Sequence, residues 1–333
     1  MFSSTLIYCT RSSDSHVTEI LCHFIANNFH LRPSVMEIQL PKNATGPEAL
    51  AFRLGTLQFF TGVADGRILK YRGPSNGFVD FGFVAPNRPK LICDGTNNLN
   101  PNPVCGRPLG MALHQQTQKL YVCDAFFGFG VLGPQGGLVT QLSTSADGVP
   151  YRFCNAVDVH QPTGNVYFTD ASADYDIREQ KAAVIAHDST GRLLKYDVNN
   201  KQVTVLVWNL SGAGGVAVDE QERFVLVSEF IANRTRKIWL QGQRPYRSEI
   251  VNSLVMPDNV KRTILDNFWL AGARVMQSNL LPVGVRINGN GNVLETVNLE
   301  QWYGNKPVSE VHEYGFKLYI GSRSEDFIGV IKH

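Results

Sequence analysis

The chain has 333 residues, 43% of them hydrophobic and 18% charged, with a formal net charge of +2. These values are typical of an ordinary globular protein, and this length is compatible with one large domain. Because the net charge is small and the basic residues form no run, nucleic acid is not expected as a partner.

Residues 1–34 do not share the pattern of the rest of the chain, and we treat them as a leader of undetermined status. Their apolar segments are interrupted by Arg11, Asp14, Glu19 and His23. Such interruptions are not typical of a membrane-spanning helix or of the continuous apolar core of a signal peptide. We therefore predict no membrane span and place the folded domain at residues 35–333.

From residue 35 onward the chain repeats one unit, an apolar strand followed by a turn and a second strand rich in β-branched and aromatic residues. Six copies of the first strand occur, at Gly46–Phe52, Arg107–Leu113, Phe153–Val159, Gly212–Val218, Met256–Arg262 and Pro307–Glu313. A strand repeat of roughly 40 to 50 residues predicts the four-stranded blades of a β-propeller. The fold class is therefore all-β, a six-bladed β-propeller, and we expect the strand at Val35–Leu40 to complete the sixth blade.

The third residue of each first strand has an equivalent place in the repeat. These six residues are Glu48, Leu109, Asn155, Gly214, Asp258 and Ser309. Because the first strand of each blade lines the central channel, we expect the six residues to form a ring around the axis, called the central ring below. Burying its carboxylates, amide and hydroxyl without partners would be costly, so we predict that the ring binds a cation or a polar small molecule.

Cys93 and Cys105 flank a loop that is rich in Gly, Asn and Pro and poor in apolar residues. A disulfide that closes this loop would contribute about 2 to 4 kcal/mol, and we predict that the two cysteines are bonded. The chain also contains acceptor sequences for N-glycosylation at Asn43, Asn209 and Asn233. Both features indicate the secretory pathway.

Two internal segments depart from the simple strand pattern. Gly128–Gly133 matches the glycine fingerprint of dinucleotide-binding proteins, but Pro134 follows where a helix should begin, which favours a strand and a hairpin turn. Residues 174–187 have helical character and interrupt the third blade after its second strand. We expect this short helical insertion to lie over one end of the channel, where it either shapes a pocket or is a surface excursion.

From about Leu40 to the C-terminus the sequence also resembles the strictosidine synthase-like proteins of plants. The motifs that carry this resemblance are Asp65–Tyr71, Cys105–Leu109, Asp147–Pro150, Thr190–Tyr196, Phe224–Glu229 and Pro257–Arg262. Members of this family are six-bladed propellers that usually enter the secretory pathway. The resemblance therefore implies a vacuolar or extracellular protein.

Strictosidine synthase itself condenses tryptamine with secologanin, and the resemblance places its acid–base glutamate at Ser309. The neighbouring histidine of that family corresponds to Pro307, and a tyrosine of the synthase pocket corresponds to Asn155. A serine hydroxyl near its ordinary pKa cannot transfer protons near neutral pH as a carboxylate can. We therefore expect a family member without strictosidine synthase activity.

The same propeller is similar to calcium-dependent hydrolases such as diisopropylfluorophosphatase, paraoxonase and the gluconolactonase group. In those enzymes a glutamate, two asparagines and an aspartate hold the central metal. By this resemblance Glu48, Asn155 and Asp258 are candidate Ca²⁺ ligands, and Gly214 stands where the second asparagine belongs. Because Ca²⁺ takes six to eight oxygen ligands, waters can substitute for a missing amide.

Two functional hypotheses follow from these residues. The first is a calcium-dependent hydrolase of an ester or a lactone, in which water or the catalytic residue Asp258 attacks a carbonyl polarised by the metal. The second is a noncatalytic propeller, active in defence or development, that binds a small molecule or a partner. We expect a monomer.

Overall fold

The structure, a computed structural model, describes residues 8–10, 21–23, 35–100, 102–254, 256–276 and 279–333. The chain divides into two compact units, Met1–Ser34 and Val35–His333. In the first unit Tyr8–Thr10 pairs antiparallel with Leu21–His23. The second unit is a six-bladed β-propeller, which confirms the fold that the repeats predict.

Each blade contains four antiparallel strands, numbered here from the channel outward, and the sheet of blade one has a short fifth strand at its outer edge. The first strands of blades one to six are Leu50–Phe52, Pro108–His114, Cys154–Val159, Ala213–Val218, Val260–Arg262 and Glu310–Tyr314. The second strands are Phe59–Gly62, Lys119–Asp124, Val166–Asp170, Phe224–Glu229, Phe268–Met276 and Lys317–Gly321. The third strands are Arg67–Tyr71, Gly128–Leu132, Gly191–Asp197, Arg234–Trp239, Asn279–Ile287 and Phe327–Lys332. The outermost strands are Phe78–Phe83, Thr140–Ser143, Gln202–Leu210, Ser248–Asn252, Val293–Asn298 and Val35–Gln39.

The sixth blade is completed from the opposite end of the propeller sequence. Val35–Gln39 pairs antiparallel with Phe327–Lys332, the last strand of the chain. The predicted closing strand is therefore confirmed. This pairing hydrogen-bonds a strand edge that would otherwise be open to solvent.

Shorter elements connect the blades. Gly128–Leu132 is a strand, as predicted, and the turn after it places Gly137–Leu138 parallel to the outermost strand of blade one. The remaining connecting elements are the hairpin Ser145–Ala146 with Val149–Pro150 and the short helices Lys90–Cys93, Asn102–Cys105 and Glu300–Tyr303. No helix among the described residues has the length and apolar character that crossing a membrane would need.

The predicted helical insertion forms, with shorter bounds than the sequence suggests. It consists of the 3₁₀ helix Ile177–Glu179 and the α-helix Gln180–Ile185. The Asp176 carboxylate accepts the Arg178 N–H, and Glu179 in turn accepts the Asp176 N–H, so the first turn is capped in both directions. Buried Ile177 packs with Leu109, which anchors the insertion to the propeller.

The hydrophobic core is divided among the contacts between neighbouring blades. Besides the cluster around Ile177, the described residues form six clusters of buried side chains, one for each pair of adjacent blades, including the pair formed by blades six and one. Between blades two and three the rings of Phe129 and Phe168 stack with centroids 4.4 Å apart. Because a blade buries apolar side chains on both faces, its stability depends on both neighbours.

The structure describes both the predicted disulfide and the three asparagines of the glycosylation acceptor sequences. Cys93 and Cys105 are bonded to each other, as predicted, and both are buried. The side chains of Asn43, Asn209 and Asn233 are exposed, so each is accessible as a glycosylation acceptor.

Candidate functional site

The central ring lies at one end of the first strands, where the backbones of neighbouring blades touch. The Asn259 N–H donates to Ser309 O over 2.9 Å and joins blade five to blade six. The Thr169 hydroxyl donates to Gly214 O, and the Ser228 hydroxyl donates to Asp258 O. These hydroxyls join blade three to blade four and blade four to blade five. The ring positions are therefore held rigidly from both sides.

Three of the six ring residues precede their strands instead of lying within them. The strands of blades one, five and six begin at Leu50, Val260 and Glu310, later than the repeat suggests. In blade five the reason is that the Asn259 N–H bonds to the next blade and not to its own. The sequence prediction of longer first strands is wrong there.

The ring residues face different surroundings. Leu109 belongs to the apolar cluster beneath the insertion, and Gly214 contributes no side chain. Glu48 and Ser309 are buried, at 1% and 0% exposure. Asn155 and Asp258 line a cavity that opens at this end of the channel. The structure thus brings two of the predicted polar groups to a surface that a ligand can reach.

This cavity has a volume of about 120 Å³ and is mainly apolar. It is bounded by the insertion, by the second and third strands of blade five and by the loops before blades five and six. Its polar side chains are those of Asn155, Gln180, Asp258, Asn305, Lys306 and Arg323. Its larger apolar side chains are those of Phe230, Met256, Pro257, Leu280, Pro282, Pro307 and Val308. The insertion therefore shapes the pocket, because Gln180 lies in its wall and accepts a hydrogen bond from Arg323 over 3.1 Å.

Among the cavity side chains, Asp258 has a pKa that is shifted toward neutrality. Its pKa is raised from 3.8 to about 7, mainly by burial and also by the charge of Glu48, whereas the Arg323 guanidinium and the Ser309 hydroxyl oppose the rise. A carboxyl group with a pKa near neutrality can both take and return a proton at physiological pH. This is the behaviour expected of a general acid–base.

Glu48 faces a cation that the sequence analysis did not identify. The Arg107 Nη2 lies 3.5 Å from the Glu48 Oε2, and both side chains are buried. Burial raises the pKa of Glu48, and the charges of Arg323 and Arg107 oppose that rise. Arg107 directly precedes the first strand of blade two, and Arg323 lies between the second and third strands of blade six. Both guanidinium groups therefore act on the ring from loops outside it.

A second carboxylate network lies next to Ser309. Glu310 is fully buried, accepts the Leu50 N–H over 2.8 Å and lies 3.3 Å from the Lys261 Nζ. Its Oε1 is also 3.3 Å from the Nδ1 of His312. These contacts satisfy the Glu310 carboxylate within the channel. The carboxylate is not directed at the cavity.

Two oxygen atoms of the ring are available as calcium ligands. Glu48 Oε2 and Asn155 Oδ1 accept no hydrogen bond from the described residues, as free metal ligands would. However, the positive charge beside Glu48 is already supplied by Arg107, which would repel a second cation. Among the described residues no three His, Cys, Asp or Glu side chains form a group able to hold a metal ion, so a site here would also need the Asn155 amide as a ligand. The residues present therefore do not fit a resident Ca²⁺.

The two arginines had only a weak signal in the sequence. Arg107 stands in the motif Cys105–Leu109, next to an apolar strand, where a charged side chain is unusual without a buried partner. Arg323 lies in a polar loop, and nothing local distinguishes it from a solvated surface residue. Its role becomes visible only when blade six is closed against blade one.

Comparison with known proteins gives consistent results. A family model described as strictosidine synthase matches residues 155–243. Strictosidine synthase-like protein 12 of Arabidopsis thaliana is 40% identical over 304 residues, which cover 90% of each chain. Strictosidine synthase of Catharanthus roseus is 33% identical over 305 residues, 90% of this chain and 87% of that protein.

Solved structures with a similar fold are more distant in sequence. A gluconolactonase from Xanthomonas campestris has a TM-score of 0.64 at 14% identity and covers 90% of this chain and 89% of its own. Regucalcin from Agrobacterium tumefaciens, described as a calcium-binding protein, has a TM-score of 0.61 at 12% identity, with 88% and 92% coverage. At such low identity these likenesses show the propeller fold alone.

Proposed function

Since the chain belongs to the strictosidine synthase-like family, we propose that it acts on a small organic molecule in the cavity at the mouth of the channel. The reaction that the side chains support best is hydrolysis of an ester or a lactone. The supporting observation is the position of Asp258, whose carboxyl lies in the cavity wall together with Asn155 and Arg323.

In this reaction Asp258 is the catalytic residue. Its carboxylate takes a proton from a water molecule while the water oxygen bonds to the carbonyl carbon of the substrate. The negative charge that develops on the carbonyl oxygen is stabilised by the Arg323 guanidinium. When the carbon–oxygen bond to the leaving group breaks, Asp258 returns the proton to the alkoxide. One water is consumed, and an acid and an alcohol are formed.

The apolar walls select the substrate. Phe230, Met256 and Leu280 offer no hydrogen bonds from their side chains, so they favour an acyl or aryl group over a sugar. The condensation of tryptamine with secologanin is not expected, because Ser309 stands where the synthase glutamate belongs and is fully buried.

The test is a hydrolase assay on aryl esters and aromatic lactones. The wild-type protein should hydrolyse at least one of them, and Asp258→Asn should lower kcat by two orders of magnitude or more, a typical loss for a general base. Asp174→Asn is the matched control, because it removes an exposed carboxylate from the insertion and should leave kcat unchanged. Equal rates in wild type and Asp258→Asn would contradict the proposed role.

The second candidate function is noncatalytic binding of a small molecule. The observation that favours it is that Asp258 is the one carboxylate among the described residues lining the cavity, because Glu48 is buried beside Arg107. A ligand that raises the melting temperature of the protein without being converted would support this alternative. The disulfide supports a vacuolar or extracellular location for either function.

A further inference from the structure

We propose that the guanidinium of Arg107 is a built-in counter-ion of the central ring, and that it does the electrostatic work of a divalent cation there. The ring would then hold its shape and its charge balance without calcium. This inference does not depend on the proposed hydrolysis, because it concerns how the ring is stabilised and not what enters the cavity.

Contacts with several neighbouring residues fix the position of the Arg107 side chain. Its side chain is 3% exposed, and its Nη2 lies 3.5 Å from the Glu48 Oε2. Its own N–H donates to the Asp124 Oδ2 over 2.7 Å, which fixes the start of the side chain. Gly46 makes room for the guanidinium, since a Cβ at Gly46 would lie 2.9 Å from both Nη1 and Nη2. A guanidinium remains charged even when buried, so the positive charge is permanent.

Each carboxylate near the ring has a cationic side chain of the protein beside it. The carboxylates are those of Glu48, Asp258 and Glu310, and the cations are those of Arg107, Lys261 and Arg323. A divalent ion beside Glu48 would add two positive charges next to Arg107 and be repelled by it. Removing Arg107 should allow a divalent ion to bind beside Glu48. Glu48, Asn155 and Asp258 would then offer oxygen ligands around a negative charge that Arg107 no longer compensates.

The experiment compares calcium responses of three proteins. Melting temperature and calorimetric Ca²⁺ binding are measured for wild type, Arg107→Met and Arg107→Met/Glu48→Gln, with EDTA or millimolar CaCl₂. Wild type should respond to neither. Arg107→Met should melt at a lower temperature in EDTA and regain several degrees with Ca²⁺, and the double variant should show no calcium response. Arg178→Met is the matched control, since it removes an exposed arginine from the insertion and should create no calcium response.

Two outcomes would overturn the proposal. One is stoichiometric Ca²⁺ binding by the wild-type protein, which would make the ring an ordinary calcium site. The other is a folded Arg107→Met that does not respond to Ca²⁺. If Arg107→Met does not fold, Arg107→Lys takes its place. This variant keeps a positive charge and should remain insensitive to Ca²⁺, so that calcium binding by Arg107→Lys would equally contradict the counter-ion role.

Discussion

Asp258 combines its proposed catalytic role with a cost to stability. Its backbone is fixed because its N–H donates to Ala271 O and its carbonyl accepts the Ser228 hydroxyl. Its side chain is held where burial and the charge of Glu48 disfavour ionisation. Residues selected for a reaction are often placed where they destabilise the fold, and Asp258 fits this description.

The sign of the effect on stability follows from the pKa. The pKa of Asp258 rises from 3.8 to about 7 on folding, so the folded protein keeps a proton that the unfolded chain releases between these pH values. The contribution of Asp258 to stability is therefore complete below pH 3.8 and is lost as the pH rises through about 7. Asp124 and Asp170, whose pKa values rise to about 6, act in the same direction.

We predict that Asp258→Asn raises the melting temperature at pH 8 by a few degrees and raises it by less at pH 5. The asparagine carries no charge at either pH, so the variant avoids the cost of ionising a buried carboxyl group. Thermal unfolding followed by circular dichroism at the two pH values measures the difference. A destabilised variant at pH 8 would show that the ionised carboxylate is favourably paired in the folded protein.

At the scale of single residues, equivalence within a repeat predicts position better than role. The repeat gives Glu48, Asn155 and Asp258 equivalent positions in three blades. It cannot show that Glu48 is turned toward Arg107 whereas Asp258 is turned toward the cavity. The direction of each side chain depends on loops that come from other blades.

At the scale of elements, the long connection between blades one and two depends on its disulfide. Cys93 ends the helix Lys90–Cys93 and Cys105 ends Asn102–Cys105, so the bond ties together two helices that are each a single turn long. Helices of this length are not stable in isolation. The conformational entropy lost in forming the first turn outweighs the free energy gained from its hydrogen bonds. The exposed side chains of Leu91 and Ile92 show that the first helix gains little from burial.

We predict that Cys93→Ser/Cys105→Ser lowers the free energy of unfolding by about 2 to 4 kcal/mol, through the larger conformational freedom of the unfolded loop. Chemical denaturation with and without a reducing agent measures this loss. Reductant should destabilise the wild-type protein and leave the double variant unaffected, which makes the variant its own control. An equal effect of reductant on both proteins would place the sensitive bond elsewhere.

At the scale of the whole molecule, the propeller is closed by hydrogen bonds between its two sequence ends. Val35–Gln39 supplies the outermost strand of blade six, and the cluster between blades six and one includes Ile328, Val330 and Leu40. Closure of this kind joins the residues of the propeller that are farthest apart in sequence, so it has a larger chain-entropy cost than a contact between consecutive blades. It also prevents the edge of Phe327–Lys332 from pairing with other chains.

We predict that a chain starting at Val35 folds as the full-length protein does, whereas a chain starting at Leu40 loses cooperative unfolding and aggregates. The second chain lacks the strand that pairs with Phe327–Lys332. Size-exclusion chromatography and thermal unfolding of the two chains measure the difference. Identical behaviour of both chains would show that closure contributes little, and failure of both would place residues 1–34 within the folding unit.

The local patterns of the sequence are enough to predict the fold, the number of blades, the closing strand and the disulfide. These features follow from local patterns, such as alternating apolar strands, turn residues and a repeat length, and each repeat presents them again. Only the tertiary structure decided the chemistry of the ring. Arg107 and Arg323 approach the ring from blades two and six. No local sequence pattern shows that an arginine side chain has a partner far away in the sequence. Their charges decide which carboxylate is paired and which one faces the cavity, because electrostatic interaction depends on distance in space and not on separation along the chain.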